Sequence, residues 1–146
     1  MTVHFICTGN SFRSRLAEAY LNSKQLKNIK VISSGTATNK RNGPIGWPTE
    51  RIFQNTDLTL FMSPISIQTT KELLDKGDLT IFMKQNHYDF AKSLGFLSQN
   101  YQIWDVEDLI FSDYDGENKD MKIINASEEI FKIIKGKVDE LAQNLA

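Results

Sequence analysis

Short apolar runs alternate along this chain with amphipathic stretches, and the two rhythms predict different elements. Val3-His4-Phe5-Ile6-Cys7 is mostly apolar and stops at Thr8-Gly9-Asn10, the pattern of a buried strand ending in a loop. From Ser14 the period changes: Leu16, Ala17, Tyr20 and Leu21 recur at helical spacing, with the hydroxyls of Ser11 and Ser14 near the helix start. Lys30-Val31-Ile32-Ser33 is a second short strand, closed by Ser34-Gly35. Strand, helix and strand within about 30 residues make a βαβ unit, whose two strands run parallel.

Gly35, Gly43, Pro44, Gly46 and Pro48 mark an irregular loop over 35–48. Thr49 to Asn55 has the length of a short helix. Ser63-Pro64 is a helix-start signal, and the pattern predicts a helix from there through Leu73-Leu74, stopping before Gly77. Leu79 to Met83 predicts a third strand, Asn86 to Leu94 a helix closed by Gly95, and Tyr101 to Trp104 a fourth strand. An acidic loop fills 105–120. Beyond it Ile123, Ile130, Ile134, Val138, Leu141 and Leu145 form the apolar stripe of a C-terminal helix, which Gly136 weakens modestly. Strands alternating with helices predict an α/β fold: a four-stranded parallel sheet with helices on both faces, in one domain over 1–146.

Composition narrows the function. The chain has 146 residues, 40% hydrophobic and 24% charged, average for a globular domain. Lys plus Arg is 17 and Asp plus Glu is 18, a net charge of −1. That balance supplies no global attraction to nucleic acid or to an anionic membrane, so any anion affinity is local. One Cys allows no intrachain disulfide and fits a reducing compartment. With His4 and His87 it is also too little for a four-ligand structural zinc site. The N-terminus lacks a basic region and a long apolar run, and no stretch approaches the roughly 20 apolar residues of a membrane span. The expected location is the cytoplasm.

The chemistry concentrates in Cys7-Thr8-Gly9-Asn10-Ser11-Phe12-Arg13-Ser14. A cysteine stands at the carboxyl end of the first strand, the edge at which open α/β sheets bind ligands, and an arginine follows six residues on where a helix begins. If residues 8–12 curl, their backbone N–H groups converge with the positive end of the helix into an anion nest. Gly9 and Asn10 tolerate the left-handed backbone that such a curl needs. Arg13 adds a planar fork matched to two phosphate oxygens. The same positive field favours a thiolate at Cys7, to which the Ser14 hydroxyl can donate, and a thiolate under a bound phosphate is placed for phosphoryl transfer.

VHFICTGNSFRSRLAEAYL resembles the N-terminus of the low-molecular-weight protein tyrosine phosphatases, whose loop is Cys-x5-Arg-Ser. Cys7, Gly9, Asn10, Arg13, Ser14, Ala17 and Glu18 match that pattern. The similarity continues weakly through Ser33-Ser34-Gly35-Thr36, Asp78 to Met83 and Trp104 to Asp108. It implies a phosphatase acting through a phospho-cysteine intermediate, with no cofactor or metal. Cys7 is the implied nucleophile, and Thr8, Gly9, Asn10, Ser11, Phe12, Arg13 and Ser14 the phosphate loop. The resemblance also implies a general acid in a late loop, usually in an Asp-Pro pair. Asp108 is the best local match, although Leu109 follows it; Asp105, Glu107, Asp113 and Asp115 compete for the role. Phosphotyrosyl protein or a small aryl phosphate is the implied partner and inorganic phosphate the product, with neither nucleic acid nor membrane involved.

Several positions depart from the family pattern. Phe12 stands where many members carry a second Cys, so Cys7 has no neighbouring thiol to protect it on oxidation. Phe12 is read either as packing or as an apolar lip on the pocket. Ile110 and Phe111 stand where two aromatic residues often line the substrate, leaving one aromatic wall. Lys40 and Arg41, if they border the cleft, favour acidic phosphopeptides. Trp47 and Trp104 are read as packing residues, and His4 and His87 as structural ones. Two other functions stay open on sequence: arsenate reduction with an external thiol, and a phosphate- or phosphopeptide-binding module whose acid loop has degenerated.

Overall fold

The computed structural model describes residues 1–38 and 45–145, so the expectations on Lys40 and Arg41 lie outside the described residues. Four strands, β1 (Thr2–Cys7), β2 (Lys30–Gly35), β3 (Leu79–Phe82) and β4 (Tyr101–Ile103), form one parallel sheet in the order β2-β1-β3-β4. Among the described residues five α-helices accompany them: α1 (Arg13–Ser23), α2 (Trp47–Phe53), α3 (Lys71–Lys76), α4 (Gln85–Ser93) and α5 (Lys119–Leu145). Single 3₁₀ turns lie at Leu58–Phe61 and Phe111–Asp113.

β1 is central and buried on both faces, which is why its residues run apolar without alternation. Val3, Phe5, Leu79 and Ile81 pack on one face with Leu16 and Ala17 of α1 and with Ile134 and Val138 of α5. Ile6 and Phe82 pack on the other with Leu74 of α3, Ala91 of α4 and Phe96. The expected layering therefore holds, and the stripe of α5 is buried from Ile123 to Leu141. Trp104 is buried against Phe5, in accord with a packing role.

The helix expected from Ser63-Pro64 is corrected: α3 begins only at Lys71, capped by the Thr70 hydroxyl, which accepts from Leu73 N–H. The preceding residues have tertiary partners that outbid a local helix. Ser63 O accepts from Arg15 Nη2, and Ser63 N–H donates to Glu18 Oε1 at 3.2 Å. Ile67 N–H donates to the Asn10 side chain at 2.8 Å. Gly35 N–H donates to Ile67 O and Thr69 N–H to Gly35 O, both at 2.8 Å, so 67–69 lies along the outer edge of β2.

Candidate active site

Parallel strands put their carboxyl ends on one edge, so the loops after β1, β2, β3 and β4 meet there. Cys7 closes β1 opposite Gly35, the last residue of β2. The chain then turns through residues 8–12 into α1, whose N-terminus carries no side-chain cap. Its first amides therefore receive no side-chain cap from Phe12, and a helix start leaves such amides without an intrahelical acceptor. The left-handed turn falls on Asn10, at φ 53°.

Buried side chains behind the loop maintain that turn. Asn10 Nδ2 donates to Ser14 Oγ at 2.7 Å and to Ser33 Oγ at 3.0 Å. Ser33 in turn donates to Glu18 Oε1 at 2.9 Å. Ser14 Oγ lies 3.0 Å from Cys7 Sγ. With one lone pair engaged by Asn10, the Ser14 hydroxyl is set to donate its hydrogen to a thiolate sulfur. Arg15, fully buried, donates from Nη1 to Asn10 O at 3.1 Å and lies 3.8 Å from Glu18 Oε1. Burial pushes Glu18 up and Arg15 down, so desolvation outweighs the attraction within this pair. The pair acts as a strap joining the loop to Ser63.

On the open side a cleft is lined by Cys7, Gly9, Ser11, Phe12 and Arg13, by Gly46, Pro48 and Thr49, and by Asp108, Leu109 and Phe111. Arg13 is 3% exposed, and its Nη2 lies 3.5 Å from Asp108 Oδ2. Its Nη1 donates to Val106 O at 2.9 Å. The structure thus brings Asp108 to Cys7 and Arg13. It holds the competing acids elsewhere: Asp105 and Glu107 both accept from Lys84 Nζ, at 2.8 and 2.5 Å, and Asp113 and Asp115 are exposed. Phe12 is both core and cleft wall. Phe111 lines the cleft, whereas Ile110 is exposed outside it and Leu109 takes the inner place. The side chains of Asn10 and Ser14 support the loop from behind.

Two residues read as structural from sequence belong to this neighbourhood. Trp47 is 39% exposed at the start of α2, with its ring 6.1 Å from that of Phe111, so a third aromatic joins Phe12 and Phe111 at the cleft, at its rim. Its place in a Gly- and Pro-rich loop beside the sheet edge is the signal that was available. His87 is fully buried and its Nε2 lies 2.8 Å from Thr8 Oγ1. A polar residue just beyond the carboxyl end of β3 was a legible pointer to this edge.

The comparisons agree with this architecture. The family model described as low molecular weight phosphotyrosine protein phosphatase matches residues 2–146. A protein-arginine-phosphatase of Bacillus subtilis is 25% identical over 149 residues, covering 100% of this chain and 95% of that protein. The low molecular weight protein-tyrosine-phosphatase PtpA of Staphylococcus saprophyticus is 29% identical, over 97% of this chain and 91% of its own. Among solved structures, that of YfkJ from Bacillus subtilis superposes with a TM-score of 0.77 at 21% identity, covering 99% of this chain and 94% of the other. The low molecular weight protein tyrosine phosphatase from T. tengcongensis superposes at 0.76, also at 21% identity, covering 99% of both. These two structures share the fold.

Proposed function

This chain belongs to the low molecular weight phosphotyrosine protein phosphatase family and is a cysteine-dependent phosphatase, and from that premise we propose that Cys7, Arg13 and Asp108 carry its reaction. The thiolate of Cys7 attacks phosphorus in line, forming an S–P bond as the P–O bond to the leaving group breaks. Asp108, protonated, gives its proton to the departing oxygen. Loop amides and Arg13 neutralise the charge on the equatorial oxygens, a task that needs no metal or cofactor. Asp108, now a carboxylate, takes a proton from water, whose oxygen attacks phosphorus and breaks the S–P bond. Inorganic phosphate leaves and Cys7 returns as thiolate.

The observation that carries this reading is the cleft that has the Cys7 sulfur at its floor, with Arg13 and Asp108 3.5 Å apart on its wall. Phosphoprotein is the substrate class that the two curated relatives' names support. Within it, phosphotyrosine suits a cleft walled by Phe12 and Phe111, with Trp47 at its rim, and small aryl phosphates outside that class suit it for the same reason. Phosphoarginine is a second reading, supported by the arginine phosphatase relative and by a carboxylate at the mouth able to pair with a guanidinium. The near-even charge and the lone thiol suit a cytoplasmic enzyme with neither nucleic acid nor membrane as partner. No described helix is long and apolar enough to cross a membrane.

The test is rapid-mixing hydrolysis of p-nitrophenyl phosphate, with phosphotyrosyl and phosphoarginyl peptides compared at steady state. A p-nitrophenol burst equal to the enzyme concentration, absent in Cys7→Ser, is expected, and Asp108→Asn lowers turnover. Phosphate binding without a burst would mean a binding module. Unchanged turnover in Asp108→Asn would remove that residue from the mechanism.

A further inference from the structure

Resting on the phosphatase reading, we propose that His87 is a positioning residue of the phosphate site: through Thr8 it holds the Arg13 guanidinium in the orientation that receives the phosphoryl group. His87 is in the first turn of α4, an element with no residue lining the cleft. Its Nδ1 accepts from the backbone N–H of Lys84 at 3.0 Å. An amide can only donate, so Nδ1 carries the lone pair and a neutral ring bears its hydrogen on Nε2. Nε2–H therefore donates to Thr8 Oγ1, 2.8 Å away. Burial, reinforced by the charges of Arg13 and Lys84, keeps the ring neutral by pushing it down to about 4.

Thr8 Oγ1 also accepts from Arg13 Nη2 at 3.4 Å. The guanidinium is thus held at one end by Thr8 and at the other by Val106 O. Asp108 Oδ2, 3.5 Å from Nη2, competes for the same nitrogen. Without an anchored Thr8 oxygen, Arg13 is free to turn fully onto Asp108, which withdraws both the cation from the phosphate and the carboxyl from its proton transfer. The cap of α4 also reaches the acid loop, because Lys84, the residue just before the helix, binds Asp105 and Glu107 through its ammonium on the strand side of Asp108. The N-terminal end of α4, outside the cleft, thereby references both the cation and the acid to the end of β3.

The experiment compares His87→Asn, Thr8→Val, the double variant and Thr8→Ser. Asn at 87 keeps an acceptor for Lys84 N–H but falls short of Thr8. Each single variant is expected to lower kcat for p-nitrophenyl phosphate about tenfold and to weaken inorganic phosphate binding, read by calorimetry, several-fold. Because both act through one oxygen, the double variant loses no more than the worse single one. Thr8→Ser regains most of the loss, whereas a purely structural defect would track thermal stability. Unchanged kcat and phosphate Kd in folded His87→Asn, or losses that multiply in the double variant, would overturn the proposal. A wild-type enzyme without turnover would instead count against the phosphatase reading, with the phosphate Kd of the variants still deciding the role of His87.

Discussion

Replacing Gly35 by Ala tests how tightly the phosphate loop is held against β2. Gly35 pairs with Cys7 at the strand ends, and its backbone φ is outside the left-handed region, so alanine is conformationally acceptable there. Space is the obstacle. A Cβ at this position would meet Thr8 O at 2.4 Å, Thr38 Cγ2 at 2.9 Å and Asn10 N at 2.7 Å. Two of those three atoms are loop backbone, and neither can rotate away. The Thr36 and Ala37 N–H groups donate to Cys7 O and Thr8 O, both at 2.9 Å, so separating the segments also strains these bonds. Reaching an ordinary carbon–oxygen contact requires a displacement of roughly 1 Å. Overpacking of this kind costs about 1–3 kcal/mol, and a ~1 Å misplacement in a reacting site can cost on the order of 100-fold in rate. Thermal unfolding with p-nitrophenyl phosphate kinetics reads both effects. The expected result is a Tm lowered by about 3–10 °C, kcat/KM down by about two orders of magnitude, and weaker competitive inhibition by inorganic phosphate. A Gly35→Ala protein with wild-type kinetics and Tm would refute the close apposition of β2 and the loop.

Ser14→Ala removes the hydroxyl facing Cys7 Sγ while leaving Asn10 its bond to Ser33; the loss of a charge-assisted hydrogen bond worth about 1.5–3 kcal/mol predicts a 10- to 100-fold drop in kcat/KM, and an unchanged value would show that the hydroxyl does not serve the sulfur. Trp47→Ala is expected to raise KM for aryl phosphates by about 2- to 10-fold, the worth of one aromatic contact, without altering inhibition by inorganic phosphate; equal effects on both ligands would mean that Trp47 shapes the loop instead. Burial pushes His4 down to about 3 and His87 to about 4 from an ordinary 6.5. Between those values the unfolded chain takes up protons that the native state refuses, so this stability is complete above about pH 6.5 and declines as the pH falls towards 4. The slope reaches about 2.7 kcal/mol per pH unit for the two groups together, and urea midpoints that stay flat from pH 7 to 4.5 would contradict it.

Local pattern carried a great deal here. The strand, loop and helix from Val3 to Leu21 form a contiguous segment in which an apolar run, residues tolerant of left-handed backbone and a helical period follow one another, although the Ser11 and Ser14 hydroxyls read near the helix start do not cap it. The stripe of α5 was equally plain, since a one-sided apolar surface of that length has to be buried. By contrast, 63–70 has the punctuation of a helix, but its polar backbone groups are claimed by Asn10, Arg15, Glu18 and Gly35.

The chain's own order of residues was enough to determine the parallel α/β sheet and the left-handed turn that follows its central strand, and to single out Cys7 and Arg13 as the proposed thiol and guanidinium of the site, because each depends on steric and hydrogen-bonding rules acting within a few residues. Only the tertiary structure put Asp108, of the five candidate carboxylates, into the cleft, brought Trp47 to the rim and set His87 behind Thr8. The last contact joins positions 79 apart, and the Arg13–Val106 hydrogen bond joins positions 93 apart. Separations of that size carry no periodic signal, and the distances between such groups exist only once the sheet has brought its strand ends to one edge.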